Sequence, residues 1–282
     1  MNRNNTIKIL DINDIKVKKK FGQNFLHDEN ILNKISTAVN IENKNIIEIG
    51  PGLGFLTKKL VQHAKKMISY EIDIEMVEYL NENFKEYENL KIVNKDFLKV
   101  DLKSEIEKEF KNEPIILIAN LPYYITTAIL TKILEETDKI ETMIVMMQKE
   151  VALRITGKPS TKDYNSLSVL IQYFTDARLL FNVSPNCFYP APEVESSVIA
   201  VQRKEKITNP AINLDFFLKF NRNIFAQRRK TLMNNLQTAY KIEKQIFIDA
   251  FTEQNLSLTI RAENLSVDQI VTLSNYIYNR IK

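Results

Sequence analysis

The sequence predicts an α/β fold: a mostly parallel sheet with an antiparallel edge strand, followed by a small all-α C-terminal domain. Three observations point there. From Asn45 onward, short β-rich apolar runs alternate with amphipathic helical patterns, and that alternation implies parallel strands joined by crossover helices. Two later β-like runs flank a proline-rich loop, as an edge pair does. Beyond about Asn213 only helical apolar spacing remains.

Taken in order, residues 1–20 read as a polar basic leader that ends in the cluster Lys16, Lys18, Lys19 and Lys20. Parallel strands are expected at Ile46–Ile49, Met67–Tyr70, Leu90–Val93, Ile115–Ala119 and Met143–Met147. Crossover helices are expected at Leu53–Ala64, Glu75–Phe84, Ser104–Phe110, Ala128–Leu134 and Lys149–Ile155. Arg178–Val183 and Ser197–Gln202, on either side of Pro185–Pro192, are the antiparallel pair. The helical part shows Phe216, Phe217, Phe220 and Ile224, then Ile246, Phe247, Ala250 and Phe251, then Ile270, Leu273 and Ile277 at core spacing. With the join placed in the polar stretch Arg203–Pro210, the domains are the leader, an α/β domain over 21–205 and a helical domain over 206–282.

Composition narrows the function. In 282 residues, 44% are apolar and 26% charged, a globular balance that excludes wholesale disorder and disulfide-stapled scaffolds. One cysteine, Cys187, and two histidines leave no zinc-binding set, so no metal is expected, and Cys187 reads as a packing residue. The absence of an apolar run of spanning length points to a soluble, cytoplasmic protein. From Glu205 onward there are 11 Lys and Arg against 7 Asp and Glu, while the preceding residues carry 28 of each sign. An excess of positive charge confined to the helical segment suits a polyanionic partner.

Only five glycines occur, and three of them, Gly50, Gly52 and Gly54, fall in Glu48–Gly54 directly after the first expected strand. A glycine-rich strand-to-helix turn lets a ligand approach the backbone at the ligand-binding edge of an open sheet. The dinucleotide pattern needs glycine where Phe55 stands, which excludes it. The segment instead resembles motif I of the S-adenosylmethionine-dependent methyltransferases. That resemblance implies a class I, Rossmann-like methyltransferase sheet, with Gly50 and Gly52 against the methionine part of S-adenosyl-L-methionine. It also implies Glu71, ending the second strand, as acceptor for the ribose hydroxyls and Asp96, after the third, as partner of the adenine amine.

Asn120-Leu121-Pro122-Tyr123-Tyr124 follows the fourth strand and resembles the N/D-P-P-Y motif of amino methyltransferases. An exocyclic adenine amine is a poor nucleophile because its lone pair is conjugated into the ring. Acceptors for its hydrogens favour a pyramidal nitrogen, and the resemblance assigns that role to the Asn120 side-chain oxygen and the Pro122 carbonyl. Tyr123 or Tyr124 is the candidate to stack on a flipped base, with Phe188 as a candidate for the opposite face.

Together with Gly22-Gln23-Asn24-Phe25-Leu26, these motifs resemble the ribosomal RNA adenine dimethylase family over roughly residues 16–280. The family implies cofactor contacts from Asn24, Leu26, Gly50, Glu71, Asp96 and Asn120. Met147–Ala152, Tyr164–Val169, Phe188–Ser196, Gln227–Thr231 and Arg261–Ser266 resemble most closely its small-subunit branch, which dimethylates two adjacent adenosines near the 3′ end of 16S rRNA. Departures are Asn165 where glycine is expected, and Glu193 and Glu195 where Lys and Asp are common. The small ribosomal subunit and its rRNA are then the expected partners, with no membrane, and a monomer suffices. Arg228, Arg229 and Lys230 are the expected phosphate contacts, with Lys18, Lys19 and Lys20 as a second set. Three alternatives stand beside this: the large-subunit branch that confers macrolide resistance, a largely non-catalytic assembly or nucleic-acid-binding role, and a small-molecule methyltransferase.

Overall fold

A computed structural model describes residues 3–281, apart from the side chain of Lys19. The chain forms two compact units, Met1–Ala152 with Ala177–Arg203, and Leu153–Asp176 with Lys204–Lys282. The chain crosses from one unit to the other at Ala152–Leu153, Asp176–Ala177 and Arg203–Lys204. The helical stretch Leu153–Asp176, which the sequence placed within the α/β domain, groups instead with the second unit. Among the described residues no helix is long and apolar enough to cross a membrane.

The first unit opens with α1 (Arg3–Ile12), β1 (Phe25–Leu26) and α2 (Glu29–Ser36). It continues through β2 (Asn45–Ile49), α3 (Thr57–Leu60), β3 (Lys66–Glu71), α4 (Ile74–Asn83), β4 (Leu90–Asn94), α5 (Leu102–Phe110), β5 (Ile115–Asn120), α6 (Thr126–Glu136) and β6 (Ile140–Gln148). After α7 (Lys149–Ile155) and α8 (Ser166–Phe174) come β7 (Thr175–Val183), β8 (Phe188–Tyr189) and β9 (Ser196–Arg203). Seven strands form one sheet in the order β4-β3-β2-β5-β6-β9-β7. β2 to β6 pair in parallel, and β9 runs antiparallel to β6 from Thr142 opposite Gln202 to Gln148 opposite Ser196. β2 is buried along its whole length and β5 along all but its last residue, as continuous apolar runs covered on both faces require. Chain order reverses at β2, with β3 on one side and β5 on the other, and ligands bind beyond the carboxyl ends of strands at such a point.

Two local differences from expectation have clear causes. The crossover expected over Leu53–Ala64 is helical only over Thr57–Leu60, because the glycine turn with its left-handed backbone uses up the first part of the connection. The leader is not featureless. α1 buries Thr6 and Leu10, and Ile15 is also buried, so a sparsely apolar segment docks through a few side chains. α2, which no sequence pattern marked, starts where the Asp28 side chain accepts from the Ile31 amide at 3.0 Å.

In the second unit α8 is capped by Asn165, whose side chain accepts from the Leu167 and Ser168 amides while Ser168 Oγ accepts from the Asn165 amide. That capping box explains why Asn serves where glycine was expected. α9 (Leu214–Ile224), α10 (Leu232–Ala239), α11 (Lys244–Glu253) and α12 (Val267–Ile281) follow. Phe217, Phe220, Ile224, Phe247, Phe251, Ile270, Leu273 and Ile277 form their buried face.

Candidate active site

A pocket opens at the carboxyl ends of β2, β3 and β5, walled by the turn after β2, by Glu71 and Ile72, by Lys95–Leu98, by Asn120–Ile125 and by Phe21–Leu26. Asn24, Leu26, Gly50, Gly52, Glu71, Asp96 and Asn120 all line it, as do Pro122, Tyr123 and Tyr124.

The glycine turn owes its shape to contacts on both sides. Gly52 has φ 54°, and a Cβ there would stand 3.0 Å from the Phe25 ring. Gly54 has φ 75°, and its Cβ would stand 2.6 Å from the Phe84 ring and 2.8 Å from Leu80. Gly54→Ala therefore combines a disfavoured backbone with overpacking, and the expected loss of stability is about 2–4 kcal/mol. Denaturant unfolding of the variant checks it; a loss below about 1 kcal/mol would show that α4 yields easily.

Two buried carboxylates brace the turn. Glu48 Oε2 accepts from Thr57 Oγ1 at 2.7 Å and Ser69 Oγ at 2.9 Å, tying β2 to α3 and β3. Full burial pushes its carboxyl up to about 7. Glu71 Oε2 accepts from the Gly52 amide at 3.2 Å and Oε1 from the Asp73 amide at 2.9 Å. Burial raises the Glu71 carboxyl against the pull of these bonds. With backbone donors from Gly52, Ile72 and Asp73 holding it, the carboxylate lines the pocket wall as an acceptor suited to ribose hydroxyls. Asp96 caps the turn after β4 through Oδ1, which accepts from the Leu98 amide at 3.0 Å, so only one of its oxygens is used in the cap. A pocket with a diol acceptor, a second carboxylate and a glycine turn fits a nucleoside with an aminoacyl tail.

Residues 18–26 form a strap along the pocket. Asp73, buried at the start of α4, accepts from Lys18 Nζ at 2.6 Å and Gln23 Nε2 at 2.8 Å, and Gln23 Oε1 accepts from the Lys18 amide at 2.7 Å. Lys18 also pairs with Glu75 at 2.8 Å. Its ammonium is thus a tether between two carboxylates, whereas the sequence had suggested a cation available to phosphate. Lys20 is exposed, 4.7 Å from the Phe21 ring centroid, and the side chain of Lys19 lies outside the described residues. At its other end the strap pairs as β1 with β8, Leu26 opposite Phe188. Phe188 is 2% exposed and does not line the pocket. A ring closed into that pairing presents no face to a base, so the stacking role does not fit Phe188. Burial pushes the neighbouring Cys187 thiol up, away from nucleophilic use.

Asn120 ends β5, and its Nδ2 donates to the Asn24 carbonyl at 3.3 Å, which turns Oδ1 away from the strap. The Pro122 carbonyl, given an acceptor role from the motif, already accepts from the Ile125 amide at 3.2 Å and Thr126 Oγ1 at 3.0 Å. Both lone pairs serve the start of α6, so that role does not fit Pro122. The Tyr123 hydroxyl lies 2.6 Å from Ser196 Oγ, fixing a half-buried ring. Tyr124 is 59% exposed and rests against Gly22. The roles of Asp73 and Ser196 were not read from the sequence, because both act through partners distant in the chain. Of the two, only Asp73 carried a local signal, as the residue before an amphipathic helix.

In the second unit Arg229 and Lys230 are exposed, whereas Arg228 is engaged: Nε donates to Glu263 at 2.8 Å and Nη2 to the Lys162 carbonyl at 2.5 Å. Among the described residues no group of three or more His, Cys, Asp or Glu side chains is placed to hold a metal ion.

Comparison with known proteins gives consistent results. The chain is 44% identical over 274 residues to a ribosomal RNA small subunit methyltransferase A from Lactococcus lactis, covering 96% of this chain and 93% of that protein. It is 42% identical over 277 residues to the protein of the same name from Bacillus cytotoxicus, covering 96% and 95%. Its fold is similar to that of a dimethyladenosine transferase from Plasmodium falciparum (TM-score 0.74, 24% identity, 88% of this chain and 95% of that one). It is also similar to the 23S rRNA methyltransferase ErmE (TM-score 0.68, 24% identity, 90% and 100%). At that identity the two structures speak for the fold alone. The model of the family described as ribosomal RNA adenine dimethylase matches residues 14–279, and with a match of that length the chain belongs to that family.

Proposed function

We propose that the protein transfers methyl groups from S-adenosyl-L-methionine to the N6 amines of two adjacent adenosines near the 3′ end of small-subunit ribosomal RNA, in the cytoplasm and as part of subunit biogenesis. The observation that carries this reading is the Asn120 amide, oriented by Asn24 at the mouth of the same pocket that holds Glu71, Asp96 and the glycine turn. The small-subunit assignment is supported by relatives at 40–44% identity that bear that substrate in their names.

Bound in the pocket, the cofactor supplies an activated methyl group. Glu71 accepts from the ribose hydroxyls, Asp96 from the adenine amine, and Gly50 and Gly52 let the aminoacyl tail lie against the backbone, with Asn24 and Leu26 covering it. Asn120 Oδ1 accepts a hydrogen from the target amine. The second acceptor is the carbonyl of Leu121, which lines the pocket and, unlike the Pro122 carbonyl, receives no hydrogen bond among the described residues. Tyr123, with its ring anchored through Ser196, is the stacking face for the flipped adenine, and Tyr124 stands at the rim. Two acceptors and a stacked ring concentrate the amine lone pair on the methyl group, and the proton released after transfer passes to solvent. Positioning carries the rate, with no general base required. The helical unit meets the RNA phosphates through Arg229 and Lys230.

Labelled methyl transfer to small subunits lacking the modification, run beside naked large-subunit RNA and followed by identification of the labelled base, tests this reading. Dimethyladenosine confined to the small subunit is expected. Label only in the large-subunit RNA would favour the other branch, and no label with cofactor still bound would favour a binding role.

A further inference from the structure

The segment 157–165 of the second unit carries two exposed lysines, Lys158 and Lys162, and its path is set from outside itself. Arg228 reaches it with Nη2, which donates to the Lys162 carbonyl at 2.5 Å, while Nε of the same guanidinium donates to Glu263 Oε2 at 2.8 Å. The turn that carries Glu263 holds the segment at a second point. The Glu263 carbonyl accepts from the Ser160 amide at 2.7 Å, and Asn264 Nδ2 donates to Ser160 Oγ at 3.2 Å. Ser160 has φ 67°, so the backbone bends into the left-handed region at the residue that is tied down. One planar fork thus joins a carboxylate to a backbone carbonyl in a rigid geometry that the flexible stem and rotatable donors of a lysine do not impose.

The charge arrangement makes the clamp meaningful. Lys162 is held by its backbone, which leaves its ammonium exposed, and Arg229 and Lys230 directly follow the clamping residue. Like charges repel, so an untethered loop has to be ordered against its neighbours when it meets a polyanion, which lowers affinity while the same phosphate contacts are made in the bound state. The Arg228–Glu263 pair is itself neutral, so it fixes the backbone without adding to that repulsion.

We propose that Arg228 is a positioning residue that, with Glu263, fixes the 158–162 loop so that Lys158, Lys162, Arg229 and Lys230 form one cationic face for the phosphate backbone of structured RNA. The inference rests on the reading above that the helical unit meets RNA. It adds a loop to that surface and withdraws Arg228 from direct contact.

The test is the affinity of the full-length protein for small ribosomal subunits lacking the dimethyladenosines, measured by filter binding over a series of KCl concentrations. Arg228→Lys and Glu263→Gln should each weaken binding about three- to tenfold with the salt slope unchanged, and the double variant should be no weaker than Arg228→Lys alone. Lys158→Ala with Lys162→Ala should lower the slope by about two, as should Arg229→Ala with Lys230→Ala. Glu263→Gln binding as tightly as the unaltered protein, or Arg228→Lys retaining affinity while Arg228→Ala takes about one from the slope, would make Arg228 a direct contact and overturn the clamp. An unchanged slope for the Lys158 and Lys162 pair would remove the loop from the surface. If the Arg229 and Lys230 pair leaves both affinity and slope unchanged, the RNA-facing reading itself falls, a result distinct from failure of the clamp.

Discussion

Asn120→Ala should lower methyl transfer to unmodified small subunits by about 10²- to 10³-fold, the range seen when one preorganised hydrogen-bonding group is removed from a reaction centre. Cofactor affinity should stay within about threefold, because Glu71, Asp96 and the glycine turn, which line the rest of the pocket, are untouched. The separation follows from geometry. Asn120 donates to the Asn24 carbonyl with one end of its amide, and the other end is the acceptor proposed for the target amine. Calorimetry for cofactor binding and single-turnover transfer for the rate distinguish the two. Equal losses in both would assign Asn120 to cofactor binding and strip it of the role at the amine.

Glu48 governs the second large effect, which is on stability. Burial raises its carboxyl from the ordinary 4.5 to about 7, and the Glu71 charge adds to the rise. Between those two values the folded protein keeps a proton that the unfolded chain has released. Stability is therefore lost as pH rises through that window, and the loss is complete above about 7. A rise of that size corresponds to roughly 3 kcal/mol. Glu48→Gln accepts from Thr57 and Ser69 without titrating, so its stability relative to the unaltered protein should climb by about that amount from pH 4.5 to pH 8. Urea unfolding of both proteins at each pH measures the difference. A difference that stays flat would mean Glu48 titrates normally and is wetter than its position in β2 implies.

How far the sequence carries the reader depends on where the determining partner lies. The strands at the centre of the sheet are buried on both faces, so their apolar runs alone locate them: Ile115–Ala119 was expected, and β5 is Ile115–Asn120. The glycine turn and the residues at the strand ends are local signals as well, and they come together in one pocket. Side chains whose partners are distant escaped. Lys18 and Arg228 look like free cations until Asp73 and Glu263, 55 and 35 residues away, are seen beside them. Phe188 looks available until β8 is found against β1, a pairing of two dipeptides with no periodicity to announce it. The Pro122 carbonyl failed for a nearer reason. A turn into a helix uses its own carbonyls, and Thr126, one helical turn on, consumes the second lone pair.

The strap over the pocket is anchored at both ends, by Lys18 and Gln23 on Asp73 and by Leu26 opposite Phe188. A ribbon fastened at Gln23 and again from Phe25 onward cannot swing aside whole, and the residue between these fastenings is Asn24, whose carbonyl holds the Asn120 amide. Whatever lifts the ribbon to admit or discharge a nucleoside therefore also releases the amide from its aligned position. On the proposed reading, one hydrogen bond thereby ties passage of the nucleoside to the alignment of the amide that meets the target amine.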